Sequence, residues 1–346
     1  MMVQHKASRE PLVRVGPTVL ARGQFWAIVL AGGEGTRLRP LTDRICGDRR
    51  PKQYVSLFES RSLLDQTLDR VSLLVPPTRT VVVTLQSHSP YYSRQFAAAG
   101  SPHVLVQPDD RGTAAGILFP AQWAAWQDSE ATVAIFPSDH FVLEAAAFMD
   151  HVAGVAAWID EHPDRLVLLG AHATEPEVEY GWIEPGQPLH AEAPVRIWEI
   201  RRFWEKPTED IARNCQEAGC LWNTFIIVGK AKTFLRAGRE AVPEAADRLA
   251  RIGHFRGSEH ERWAIQQAYA LMPKANFSRS ILEPAPSCLA VSQIPAVTWS
   301  DLGSPRRVLR ILRTLGLSPP WAATRQGPSG EALGWLTRTE EDPALR

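Results

Sequence analysis

The sequence predicts an α/β protein, Rossmann-like in plan, with a doubly wound and mostly parallel sheet. Three observations carry that expectation. An all-apolar run, Trp26-Ala27-Ile28-Val29-Leu30, ends in the glycine-rich stretch Ala31-Gly32-Gly33-Glu34-Gly35-Thr36-Arg37, as a buried strand does when it turns at a sheet edge. Short β-branched runs then alternate with stretches of helical period, the pattern of parallel strands joined by crossover helices. From Thr174 to Lys206 the texture changes to prolines, glycines and short apolar runs, which predicts an antiparallel β insertion.

Taken in order, residues 1–23 hold Arg9, Pro11, Arg14, Gly16 and Pro17 without a sustained period and are expected to form an N-terminal arm. Residues 24–317 are expected to form one domain, with the insertion at 174–206, and residues 318–346 a tail too short for another domain. Behind the glycine stretch, Leu63, Leu64, Leu68, Val71 and Val75 recur at helical spacing until Pro76-Pro77 ends the helix. Residues 80–85, 104–106 and 132–136 read as strands. Thr113 is placed to cap a helix running to Trp126. Phe148, Val152, Val155 and Ile159 mark the face of another helix, and residues 166–170 and 221–226 two more strands. Helical stretches follow near 230–249 and 259–272, and a last helix over 306–315 has Ser300 or Asp301 as its candidate cap. Trp182, Trp198 and Trp204 are expected to anchor the core rather than to stack on a ligand.

Lysine plus arginine equals aspartate plus glutamate, 38 against 38, so there is no global field to draw nucleic acid or an acidic membrane. The partners expected are small molecules, met locally. Cys46, Cys215, Cys220 and Cys288 show no CxxC pairing and read as reduced thiols. No run approaches a membrane span or a signal-peptide core, which predicts a cytoplasmic protein. The sequence leaves a homo-oligomer open.

The glycine stretch is the first candidate site. Without Cβ atoms its N–H groups can form a nest for phosphate oxygens, and Arg37 adds a guanidinium fork suited to phosphate. It is neither a Walker loop, which needs Gly-Lys-Ser/Thr, nor the dinucleotide fingerprint, whose third glycine is replaced by Leu38. Alone it reads equally well as a tight turn. A second basic residue, Lys52, fifteen positions after Arg37, favours a polyphosphate. Asp139 ends the core strand 132–136, where a carboxylate needs a cation or donors; magnesium suits it, because it takes one or two protein carboxylates and leaves its other positions to water and phosphates. Asp301 ends a second apolar run. Each aspartate could instead cap a helix, and His140 reads as a packed residue more readily than as a catalytic one.

The stretch LAGGEGTRLRPLT, followed by Arg50-Pro51-Lys52-Gln53, resembles the signature of the sugar-1-phosphate nucleotidylyltransferases. Gln107-Pro108-Asp109-Asp110-Arg111-Gly112-Thr113-Ala114 resembles the family's EPxxRNTAxAI, with Gln107 for Glu and Gly112 for Asn. Glu179-Tyr180-Gly181-Trp182-Ile183 resembles EYGYI, Phe203-Trp204-Glu205-Lys206-Pro207 resembles FxEKP, and Trp222-Asn223-Thr224-Phe225 is similar to WNSGIF. Residues 276–283 take the place of SIDYAVME with Ser278 for its acid, and Thr298-Trp299-Ser300-Asp301-Leu302-Gly303-Ser304 resembles GWSDVGSW. The set spans roughly residues 25 to 310 and most resembles the bacterial mannose-1-phosphate guanylyltransferases.

That resemblance implies a GT-A-type fold and the conversion of GTP and mannose 1-phosphate to GDP-mannose and pyrophosphate. It implies that Arg37 and the loop residues Ala31, Gly32, Gly33, Gly35 and Thr36 hold the nucleotide phosphates, and that Lys52 balances charge at the α-phosphate. Gln107, Gly112 and Thr113 would meet the base. Gly181, Glu205, Lys206 and Asn223 would meet the sugar phosphate; adjacent residues of a strand face opposite ways, so whether Glu205 or Lys206 touches the ligand stays open. Asp139 and Asp301 would together hold Mg2+. Two other readings stand beside this one: the same chemistry on another nucleotide or sugar 1-phosphate, and a non-catalytic nucleotide-sugar sensor of the same fold.

Overall fold

In a computed structural model, the residues described are 25–323 other than 59, 94, 95, 97–99, 193 and 194. The expected arm over residues 1–23 lies outside them, as do residues 324–346 of the expected tail. The central strand β1 (Phe25–Leu30) runs parallel between β2 (Thr80–Leu85) and β4 (Thr132–Pro137), and β3 (His103–Gln107) extends this half beyond β2. On the other side of β4 come β9 (Leu221–Lys230), β6 (Leu166–His172) and β10 (Leu289–Gln293), and the hairpin of β7 (Gly181–His190) and β8 (Ile197–Glu205) closes the sheet. β9 is antiparallel to β4 and β6, and β8 to β10 and β7. Seven of the nine strands therefore point one way and two oppose them, so the sheet is mostly parallel.

The expected insertion is a hairpin sewn into this sheet. β8 pairs with β10, and β7 pairs with β9 through Trp182 and Ile183. Because β6 follows one edge of β9 throughout, β4 and β7 share its other edge. A separate ribbon, β5 (Phe141–Val142) with β11 (Trp299–Ser300), ties residues just after β4 to the run before Asp301.

Alternation along β1 sorts the core. Trp26 and Ile28 join Ile117, Leu118 and Phe119 of the helix Gly112–Gln127 on one face, and Ala27 and Val29 meet Val152, Val155 and Ile159 of the helix Ala145–Glu161 on the other. Each large apolar side chain so buried contributes about 1.5–3 kcal/mol. A third cluster lies below the glycine stretch, where Leu38, Leu41 and Leu57 meet Leu302, Val308, Ile311 and Leu312. It brings the last helix, Pro305–Leu315, beside a loop nearly 270 positions earlier in the chain.

Several local expectations are corrected. Thr113 lies inside its helix, whose N-cap is Arg111, and its hydroxyl is taken by a tertiary contact. Ser304, not Ser300 or Asp301, caps the last helix, its side chain accepting from the Arg307 N–H. The stretch 230–249 is two helices, Ala231–Ala241 and Pro243–Ile252, since proline fits a first turn and not an interior. Trp182 is fully buried, whereas Trp198 and Trp204 only lean on the core. The four cysteines are free thiols. No helix among the described residues is long and apolar enough to cross a membrane.

His151, on the helix Ala145–Glu161, is buried against β10, its Nε2 3.0 Å from Ser292 Oγ. Burial lowers its pKa from 6.5 to about 4, so below pH 6.5 the unfolded chain takes up a proton that the folded chain refuses. Stability from this group is complete above pH 6.5 and declines as the pH falls toward 4. Between pH 7.5 and 5 the wild type should lose about 2 kcal/mol of urea-unfolding free energy that His151→Gln retains. Equal losses in both proteins would refute this assignment.

Candidate active site

The strand ladder continues one residue past β1, where the Ala31 N–H donates to Val83 O at 2.7 Å. The side-chain amide of Gln53 then clamps the loop, donating from Nε2 to Ala31 O and Gly33 O, both at 2.9 Å. Gly35 has φ +59°, and a Cβ there would lie 3.1 Å from Lys52 N, so the left-handed turn and the close approach both require glycine. Ala31 is fully buried. It belongs under the loop, not on its ligand-facing side.

Two clefts open along this loop. The first, about 500 Å³, is lined by Gly32, Gly33, Gln107, Gly112, Thr113 and Asn276 among others; the second, about 290 Å³, by Gly35, Thr36, Arg37, Lys52, Asp139 and Gly303. Glu34 belongs to both. The structure thus brings together every loop and nucleotide residue expected from sequence except the buried Ala31.

In the first cleft Gln107 is oriented by Tyr269, whose hydroxyl donates to Gln107 Oε1 at 3.2 Å. Gly112 has φ +83°, and a Cβ there would sit 2.2 Å from Ala275 O. The segment 275–277 is strapped across the helix mouth: Ala275 N donates to Arg111 O and Ala114 N to Ala275 O, both at 3.1 Å, and Phe277 N to Thr113 Oγ1 at 2.8 Å. Lys274 pairs with Asp110 at 2.6 Å. Glycine at 112 is what lets this strap pass.

The second cleft holds the charge. Lys52, only 8% exposed, donates from Nζ to Asp301 O at 2.6 Å and lies 3.1 Å from Asp139 Oδ2. The Asp301 carboxylate is turned to other partners. Oδ1 accepts from Tyr180 OH at 2.8 Å and Gly303 N at 2.9 Å, and Arg307 Nη1 is 2.9 Å from both oxygens. Burial pushes this carboxyl upward, but the Arg307 guanidinium, with Lys52 behind it, holds it at about 2. Burial lowers His140 to about 4; neutral near pH 7, it packs edge-on against Trp299, in keeping with a packed residue.

Among the described residues no group of three or more His, Cys, Asp and Glu is placed to hold a metal. Magnesium needs fewer when phosphates complete its shell, and Asp139, on the cleft wall, fits that role. Asp301 is not among the residues lining the cleft, and donors already occupy its carboxylate.

The expected sugar-side residues also converge. A Cβ on Gly181 would lie 3.1 Å from Glu205 Oε2 and 3.2 Å from Asn223 Cβ. Burial raises the Glu205 carboxyl above its ordinary range. Lys206, at φ +52°, turns its Nζ to 3.7 Å from Glu179 Oε2. The same carboxylate oxygen accepts from Arg37 Nη1. Glu179, which opens the EYGWI run, therefore links the glycine loop at Arg37 to the end of β8 at Lys206. It was visible in the sequence as part of a motif but not as a site residue. Arg307 was also missed, although its position four residues before the buried Ile311 put it on the inward face of its helix.

A family model, "Nucleotidyl transferase", matches residues 26–316. The chain is 29% identical over 282 residues to the xanthan biosynthesis protein XanB of Xanthomonas campestris pv. campestris (strain B100), covering 80% of this chain and 57% of that protein. It is 24% identical over 281 residues to a mannose-1-phosphate guanylyltransferase of Escherichia coli, covering 80% and 58%. The chain thus spans less than three fifths of the length of these curated relatives. Among solved structures, one described as a mannose-1-phosphate geranyltransferase from Thermus thermophilus superposes with a TM-score of 0.71 at 28% identity, covering 83% of this chain and 79% of that one. A UDP-glucose pyrophosphorylase complexed with UDP-glucose shares the fold, with a TM-score of 0.55 at 12% identity over 85% and 98% of the two chains.

The strap over Gly112 makes a stability prediction. Gly47 also has a positive φ, +72°, but a Cβ there meets nothing within 4 Å, so Gly47→Ala should cost about 1 kcal/mol from backbone strain alone. Gly112→Ala adds the collision with Ala275 O and should cost at least about 2 kcal/mol in urea unfolding. Equal costs would show that the strap yields freely.

Proposed function

The chain belongs to the nucleotidyl transferase family, and on that premise we propose that it transfers GMP from GTP to mannose 1-phosphate, releasing GDP-mannose and pyrophosphate. The observation that carries the proposal is the meeting of the two clefts at Glu34. One has the glycine loop and the 107–113 turn for a nucleoside; the other has Arg37, Lys52 and Asp139 for its phosphates. The name of the Escherichia coli relative favours guanine and mannose.

In this reading an oxygen of the sugar phosphate attacks the α-phosphorus of GTP in line. The bond from that phosphorus to the bridging oxygen breaks, and pyrophosphate leaves with the electron pair. No covalent intermediate on the protein is needed. Both reactants are anions, so the protein acts by positioning them and neutralising developing charge. Arg37 and the loop amides hold the β and γ groups, Lys52 faces the α-phosphate, and Lys206, with Gly181, Glu205 and Asn223, receives the sugar phosphate. Arg37 and Lys206 exchange their shared Glu179 partner for phosphate oxygens. Magnesium, which Asp139 would hold, supplies additional neutralisation of the phosphates when bound. With small-molecule substrates and a balanced charge, the reading is of a cytoplasmic enzyme. The bulk of Phe225, at φ +59°, beside the sugar-side strand end favours, as a second reading, another sugar 1-phosphate.

The purified protein, mannose 1-phosphate and magnesium are to be incubated with each common nucleoside triphosphate while pyrophosphate release is followed. Release with GTP alone is expected. Release only with another nucleotide or another sugar 1-phosphate would overturn the specificity, and binding without release would favour the sensor. Arg37→Ala should lower kcat/KM about a hundredfold, a transition-state loss on the order of 3 kcal/mol.

A further inference from the structure

Arg307 is a buried cation with two carboxylates. It is 6% exposed, its Nη1 lies 2.9 Å from both oxygens of Asp301, and its Nη2 lies 2.5 Å from Glu177 Oε2. The guanidinium also stacks over the Tyr180 ring, 4.2 Å from its centroid, and Tyr180 returns its hydroxyl to Asp301 at 2.8 Å. The group cannot swing away cheaply, because Val308, Ile311 and Leu312 fix its helix in the core below the glycine loop. A divalent ion taking Asp301 as a ligand would have to displace Arg307 from it and leave a buried guanidinium half-paired, the costly way to break such a cluster. Asp139 is held by fewer groups. Its described partners are Lys52 Nζ at 3.1 Å, which keeps the Asp301 carbonyl when Asp139 turns to another cation, and the neutral His140 ring, with Nε2 at 3.9 Å; its side chain lines the cleft.

We propose that Arg307 is the resident cation of Asp301, so that the protein holds its divalent metal through Asp139 alone, and that Asp301 acts as a positioning residue for Lys52. The backbone carbonyl of Asp301 receives Lys52 Nζ at 2.6 Å, so a carboxylate locked by Arg307 and Tyr180 fixes the carbonyl that aims this lysine. The inference rests on the proposed reaction only in that the reaction uses a divalent cation.

The test is a titration of Mn2+ into the protein, alone and with saturating GTP, followed by water-proton relaxation. Asp139→Asn should weaken Mn2+ binding at least tenfold, and Asp301→Asn less than threefold. Arg307→Met frees the second carboxylate and should tighten binding at least threefold; Arg307→Lys keeps a cation and should bind as the wild type does, which controls for folding. Asp301→Asn weakening binding as much as Asp139→Asn would overturn the proposal, as would unchanged affinity in a folded Arg307→Met. The expected Mn2+ pattern without pyrophosphate release from any nucleotide would support this metal assignment and remove the proposed reaction instead.

Discussion

The site depends on one buried ammonium. Lys52 Nζ reaches the Asp139 carboxylate at the end of β4 and the Asp301 carbonyl beyond β11, so three distant parts of the chain meet on one charge. A buried lysine left without such partners would deprotonate or pull the structure open. The neighbouring features follow from this need. The β5–β11 ribbon holds the two aspartate-bearing segments side by side, Gly35 gives the Lys52 backbone room, and the cluster of Leu38, Leu57, Val308 and Ile311 supplies the apolar floor.

Two kinds of electrostatic solution stand next to each other here. Around Lys52 and Asp139 the charges are few, and both side chains line the cleft, which suits the phosphate contacts proposed for them. Around Asp301, Arg307, Glu177 and Tyr180 every charge is matched by direct hydrogen bonds and an aromatic face. Such saturated networks rigidify their surroundings. The cleft-lining charges and the fixed frame therefore share a boundary at Asp301.

Much of this was legible in the sequence. The parallel half of the sheet could be read because its strands are short continuous apolar runs; the glycine loop, Lys52 and Asp139 stood out by residue type and position but kept a turn or cap reading beside the ligand one, and Gln107 and Gly112 stood out only through the family resemblance. What could not be read depends on contacts between distant segments. Thr113 looked like a helix cap because Ser and Thr cap helices by local hydrogen bonds, yet its oxygen is taken by the Phe277 N–H, 164 positions away. Arg307 carries the charge of a surface residue but the helical phase of a core residue, and only the partner carboxylates decide between them. The hairpin 181–205 was expected as an antiparallel insertion over 174–206; its pairing with β9 and β10 is non-local and leaves no periodic trace.

The two partners of one β9 edge leave a gap between them. Along that edge β4 pairs as far as Ile135 opposite Ile227, and β7 takes over at Trp182 opposite Trp222. Those two registers stand five residues apart on β9, about 17 Å at the rise of an extended strand, and Asn223 and Phe225 fall between them. The candidate site thus borders a missing tooth in an otherwise continuous comb of strands. The width of that gap is set by hydrogen-bond register within one sheet, so in the proposed reaction the spacing between the nucleotide and the sugar phosphate is fixed when the sheet folds.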